Sequence, residues 1–171
     1  MTKLSEEKLI ELADQLENEQ NLLVAILLGI VATIICASLW GMFSYFSSAI
    51  GLVLAISSGV VIGYVIREAG KGIHLKFSIL AVLLTCCTVI LAEMIAGAVE
   101  GALYYKVTPW EAFFYQTMEE RWIRYWRKLT IPELASIIMG MYFSTKFSLR
   151  KLSKLQQKAL ARGFYSANNS S

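Results

Sequence analysis

Charge is missing from a long stretch of this chain: no Asp, Glu, Lys or Arg occurs from Asn21 to Ile66. A bilayer core about 30 Å thick needs roughly 20 apolar residues in a helix, so the run suits two passes joined by a tight turn. A soluble amphipathic helix keeps a charged face, and none is available here. Histidine is almost absent too. His74 is the single one, so a Ser-His-Asp or Cys-His mechanism would have to use it, and it stands at the edge of an apolar segment with no partner in view. The three cysteines, Cys36, Cys86 and Cys87, all lie inside apolar runs. A disulfide framework or zinc site asks for spaced thiols and usually histidines, so these three read as small packing residues, with no metal and no cofactor expected. No G-x-x-x-x-G-K-[ST] pattern and no preceding strand support a nucleotide loop. The first twenty residues set Lys3 and Lys8 against six acids, the reverse of a signal peptide's basic start, so no cleavable targeting segment is expected.

What is present points to one all-α membrane domain. The chain has 171 residues, 56% of them hydrophobic, with 16 basic and 13 acidic residues. Four spans are expected, at about 21–43, 49–66, 77–98 (with room to extend to Tyr105) and 131–147. The fourth has a short uncharged centre, but Thr130-Ile131-Pro132-Glu133 is a T-x-x-E capping box with proline in the first turn. Thr108-Pro109-Trp110-Glu111 repeats that signature and predicts an amphipathic helix over about 109–128. Its Trp110, Phe114, Met118, Trp122 and Tyr125 favour one side, suited to the aromatic belt of a membrane interface.

Basic residues in short loops favour the cytoplasm. Four spans with both ends inside put 11 basic residues in the cytoplasm and five, between Lys106 and Lys128, outside. Three spans with the N-terminus outside give the same totals, but export Arg67, Lys71 and Lys76 in one short loop. The four-span arrangement is therefore preferred. It leaves residues 1–20 as an acidic amphipathic cytoplasmic helix, striped by Leu9, Leu12, Ala13 and Leu16, and 148–171 as a basic helix ending in a disordered tail after Gly163. These two are expected to pack together on the cytoplasmic face or to pair between subunits. The basic helix also suits anionic headgroups, and nucleic acid is not an expected partner.

In lipid, helices associate where small residues let backbones approach. The first span carries Ala25, Gly29, Thr33, Ala37 and Gly41 at four-residue intervals, the second Gly51, Ala55, Gly59 and Gly63. The two stripes are expected to face each other as an antiparallel pair. The third span offers Gly97 and Gly101, the fourth Ser136, Gly140 and Ser144.

Several of these residues form a pattern. Glu19-Gln20-Asn21, then Gly63-Tyr64-Val65-Ile66-Arg67 with Gly70-Lys71-Gly72, then Tyr142-Phe143-Ser144-Thr145-Lys146-Phe147-Ser148 resemble a loosely defined group of small bacterial four-helix inner-membrane proteins of unknown function. In that group E-Q-N, G-Y-x-x-R-x-x-G-K-G and a late F-Y-x-x-K-F-S stretch recur. The chain departs from the pattern at Phe77-Ser78 and Ala92-Glu93, where the group tends to Phe-Gly and Gly-Asn. The resemblance implies topology and a bacterial inner membrane, and transfers no activity.

The residues that remain as candidates for chemistry are few. Glu93 and Glu100 share one face of the third span, roughly 10 Å apart along its axis, and intramembrane carboxylates often mark ion or proton paths. Both lie near the outer end, where Arg121, Arg124 or Lys106 would satisfy them. Arg67 and Lys71 are candidate headgroup contacts, with Gly70 and Gly72 expected to supply the left-handed geometry of the reversal. The expectation is a non-enzymatic structural, accessory or interaction protein, acting as a homo-oligomer or as the partner of another membrane protein. The alternative is a small oligomeric channel or proton-linked carrier built on Glu93 and Glu100.

Overall fold

The computed structural model describes residues 6–44, 47–115, 123 and 130–169, and among them every regular element is a helix. In chain order these are α1 (Glu6–Asn18), α2 (Leu22–Ser44), α3 (Ser48–Gly70), α4 (Leu75–Tyr105), α5 (Pro109–Tyr115), α6 (Ile131–Ser148) and α7 (Lys154–Asn169). Three of them, α2, the Ile50–Gly70 stretch of α3, and α4, are long and apolar enough to cross a membrane. Their outer faces carry large exposed apolar side chains such as Leu23, Val53 and Leu83, a surface that a water-soluble monomer rarely shows in continuous patches. The chain is an integral membrane protein of helical class.

Local chemistry sets the helix ends. Asn21 Oδ1 accepts the Val24 N–H (3.0 Å) and starts α2. Glu111 takes the Thr108 N–H (2.9 Å) while Thr108 Oγ1 takes the Glu111 N–H (3.3 Å), a reciprocal box that opens α5. Glu133 takes the Thr130 N–H (2.8 Å) at the start of α6. A third box was missed in the sequence. Ser153 and Gln156 exchange bonds (2.9 and 3.3 Å), so the last helix starts at Lys154 rather than at residue 148. That helix also runs through Gly163 to Asn169, correcting the expected break. One glycine costs a helix interior only about 1 kcal/mol, and α7 bridges it. Of the interfacial helix expected over 109–128, the first turns are α5; residues 116–122 and 124–129, with Met118, Trp122, Arg121 and Arg124, lie outside the described residues.

Four helices form the bundle. α2 lies against α3 and α4, α6 lies against α3 and α4, and α3 also touches α4 across the middle. Two layers fill its centre. Ala25, Ala32, Ile62, Ile66, Phe77 and Ala81 make the layer at the Gly70 end. Ala37, Trp40, Ala55, Val89, Ala92 and Ile137 make the layer at the Trp40 end.

The pairing of the small-residue stripes differs from expectation. A Cβ on Gly59 would strike the Gly140 carbonyl oxygen and lie 2.5 Å from its carbon, and one on Gly63 would lie 2.6 Å from Ser144 O. The α3 stripe therefore faces α6. A Cβ on Gly41 would lie 2.7 Å from Ala92 O, and one on Gly29 2.5 Å from Leu84 Cδ1, so the α2 stripe faces α4. Residue numbers rise together across both contacts, which makes both pairs parallel. α2 and α3 are still neighbours, but Gly51 has only ordinary clearance, 3.5 Å from Ser44 Cβ and 3.6 Å from Trp40 Nε1. The physical reason is that so few residues separate Ser44 from Ser48 that the chain itself already holds the start of α3 beside the end of α2. The closest backbone approaches are spent where no short loop supplies proximity.

Candidate functional site

The polar residues of the bundle separate by depth. Within it, hydroxyls turn back to their own helices. Ser57 donates to Leu54 O (3.2 Å), Ser58 to Ala55 O (2.8 Å), Thr85 to Ala81 O (2.8 Å), Thr88 to Leu84 O (2.9 Å), Ser136 to Pro132 O (2.9 Å) and Ser144 to Met141 O (2.8 Å). Thr33 points across to Leu84 O at a long 3.5 Å, and Ser78 meets Ser148 at 3.0 Å near the Gly70 end. Such bonds satisfy hydroxyls in a medium that supplies no water.

Glu93 and Glu100 sit at the opposite end. Gly41 meets α4 at Ala92 and Ile95, so Glu93 is level with the last turn of α2. Residues 97–105 carry α4 roughly 13 Å past that point, and Glu100 belongs to this overshoot. Both carboxylates are half-buried and neither is without an interaction. Around them the surface is aromatic. Tyr104 and Tyr105 meet edge to face at 4.9 Å, and Trp110 packs edge to face on Phe114 at 5.0 Å. α5 lies against α4 with Trp110 and Phe114 exposed.

A charge network occupies the Gly70 end and joins segments far apart in sequence. The Asn21 N–H donates to Gly70 O (3.1 Å), and the Arg150 N–H donates to Gly72 O (2.9 Å). The loop between α3 and α4 is thereby held between the chain entering α2 and the chain leaving α6. Glu19 Oε2 receives Arg150 NH1 at 2.8 Å and faces Lys71 Nζ at 3.7 Å. Glu17 Oε1 faces His74 Nε2 at 3.9 Å. The Arg150 hydrogen bond first, and the Lys71 charge next, hold the Glu19 carboxyl below the usual carboxylate range. Gln20 Oε1 is buried here with no hydrogen-bond partner among the described residues.

The expected headgroup contacts divide. Arg67 pairs with Glu68 (2.8 Å) and lies over the Tyr64 ring at 4.8 Å, whereas Lys71 joins Glu19. The glycines of the loop also act differently from expectation. Neither has positive φ; Lys71 itself takes the left-handed position (φ 46), its N–H closing on Arg67 O at 2.9 Å. Gly70 and Gly72 are needed for space. A Cβ on Gly70 would lie 2.5 Å from Phe77 Cε1 and 2.8 Å from Ala25 Cβ, and one on Gly72 would enter the Phe77 ring.

Beyond this network stands a two-helix unit. Among the described residues α1 and α7 pack on each other and on no bundle helix. Leu9, Ala13 and Leu16 of α1 and Ala159 of α7 are buried. α1 carries five acids and one lysine, while Lys154 and Lys158 of α7 are exposed. Arg150 and its pairing with Glu19 carried no signal in the sequence beyond opposite charge, because the two are separated by 131 positions.

No family model, curated protein or solved structure matches the chain. Among the described residues, no group of three or more His, Cys, Asp or Glu side chains is placed to hold a metal ion.

Proposed function

We propose that this chain is a four-span protein of the bacterial inner membrane with both ends in the cytoplasm, acting as a non-enzymatic accessory or interaction protein. The observation that carries the reading is the docking of α1 on α7, with Glu19 on Arg150 beneath it. Helices that touch lie on one side of the membrane, and an odd number of crossings cannot bring them there. With α2, α3 and α4 crossing, the reading has α6 cross as well. Its parallel run beside α3 supports this: Gly140 and Ser144 match Gly59 and Gly63, and 18 residues rise roughly 27 Å.

The cytoplasmic side follows from Arg67, Lys71 and Lys76 in the short loop at that end. The α1–α7 unit offers a partner two surfaces of opposite charge, and either a second copy or another membrane protein suits it. A channel or carrier through Glu93 and Glu100 has less support. A conducting path needs polar groups through the bundle, and the hydroxyls available there are engaged with helix carbonyls. Side-specific reporters fused in turn to each terminus test the topology. Both are expected to report the cytoplasm; reporters on opposite sides would remove α6 from the spans and the reading with it. The mass of the purified chain in nanodiscs then decides between self-association and a foreign partner.

A further inference from the structure

The Glu19 carboxylate occupies a position that suits a lipid phosphate. Two cations converge on a single oxygen of Glu19, at 2.8 Å from Arg150 and 3.7 Å from Lys71, which puts the two cationic nitrogens within one phosphate's reach of each other. The backbones of both residues are placed without Glu19. The Lys71 backbone is fixed by its left-handed turn and its bond to Arg67 O, and the Arg150 backbone by its bond to Gly72 O. Removing the carboxylate therefore leaves two cations tethered from neighbouring fixed backbone positions, so an anion between them spares the cost of bringing their segments together. The pair is also reachable, with Lys71 at 53% and Arg150 at 37% side-chain exposure. It stands where headgroups stand, level with the exposed Leu22 and Leu23 that begin α2. Lys151, Lys154 and Lys158 lie exposed just beyond it, a concentration of cations that draws anionic lipid.

We infer that Lys71 and Arg150 form a binding site for the phosphate of an anionic phospholipid, and that Glu19 is its built-in competitor. Arrival of the phosphate releases Glu19 and, with it, the base of α1, so the hold of α1 on α7 responds to the charge of the leaflet. The inference rests on the reading that this end of the bundle meets the inner leaflet.

The test uses the full chain in nanodiscs of phosphatidylcholine containing a minority of phosphatidylglycerol, with retained phosphatidylglycerol counted by native mass spectrometry. Glu19→Gln is expected to raise retention about threefold, the scale on which exposed ion pairs act. Glu17→Gln and Glu11→Gln make the same change in charge at the same end and are expected to leave retention unaltered. Lys71→Gln with Arg150→Gln is expected to lose the preference for phosphatidylglycerol. Amide exchange in α1 reports the release: faster with phosphatidylglycerol than with phosphatidylcholine alone, and fast in both for Glu19→Gln. Equal responses from the three Glu→Gln variants would mean diffuse attraction and would overturn the site. Inorganic phosphate in phosphatidylcholine discs, at matched ionic strength, is expected to do nothing; the same release of α1 by phosphate alone would overturn the lipid assignment. Both leaflets of a nanodisc have one composition, so these results do not depend on orientation, which the terminal reporters measure separately.

Discussion

Replacing Gly59 by alanine adds one methyl group at the tightest point between α3 and α6. That methyl would meet the Gly140 carbonyl group, with its carbon at 2.5 Å and the Gly140 Cα at 2.8 Å. Since all the opposing atoms are backbone, no rotamer change relieves the overlap, and the two helices must separate along their shared stripe. Inserting a methylene-sized group into a filled interior costs about 1–3 kcal/mol, against which the better helix propensity of alanine returns about 0.5–1 kcal/mol. Because the obstacle is backbone, the overlap belongs at the upper end, about 2–3 kcal/mol, and the net loss of about 1–2.5 kcal/mol corresponds to a fall in Tm of roughly 2–10 °C for a chain of this size. Gly51→Ala is the internal control. Its nearest atoms stand at 3.5 and 3.6 Å, so only the propensity gain remains, and Tm should hold or rise. Gly29→Ala should fall between them, because its obstacle is the Leu84 Cδ1 tip at 2.5 Å, which can turn aside. Thermal melts of the three variants in one detergent give the order. If Gly51→Ala destabilised as much as Gly59→Ala, or Gly59→Ala melted like the wild type, the α3–α6 contact would be wrong.

Three further outcomes follow from the same geometry. In a background with Cys36, Cys86 and Cys87 replaced, paired cysteines at Ala13 and Ala159 should crosslink within one chain, while Leu155, 45% exposed, should be a poorer partner; failure of Leu9, Ala13 and Leu16 alike would dismiss the α1–α7 pair. The contribution of Glu19 should depend on pH in one direction. Its folded pKa lies below its unfolded one, so the contact is complete above the unfolded value and is lost as pH falls through the folded value. Exchange in α1, corrected for intrinsic rates, should thus be level from neutral pH to the ordinary carboxylate range and rise only in stronger acid; loosening near neutrality would contradict it. Glu93→Gln should leave the mass of the particle in nanodiscs unchanged, since Glu93 stands at the last turn of α2 rather than at mid-depth; a changed oligomer would place that carboxylate in an interface and revive the channel reading.

Much of the architecture was legible because it depends on neighbours in sequence. Apolar runs in α2, α3 and α4 dictate helices in lipid, where each backbone group must bond within its own segment. The Thr108–Glu111 and Thr130–Glu133 boxes mark starts that span three residues, and the stripe of Leu9, Ala13 and Leu16 marks the buried side of α1. The same locality let Ser153-x-x-Gln156 pass unread beside a basic run. For the candidate carboxylates, sequence distance along α4 was enough to predict the end of the bundle at which they sit.

The partners of each face were decided by tertiary structure. A small-residue stripe says that a backbone can come close, without saying which one. Gly59 and Gly140 are 81 positions apart, and their contact depends on how two hairpins stack as whole bodies. The need for glycine at 70 and 72 likewise follows from Phe77, whose ring claims the space beside both, while Lys71 between them takes the αL turn. The convergence of Glu19, Lys71 and Arg150 required three separate chain segments to be pinned by backbone hydrogen bonds at one end of the bundle. Periodicity and hydropathy act through the nearest turns of a helix, whereas the choice of which surfaces meet is made by shape and charge between segments that only the folded bundle brings together.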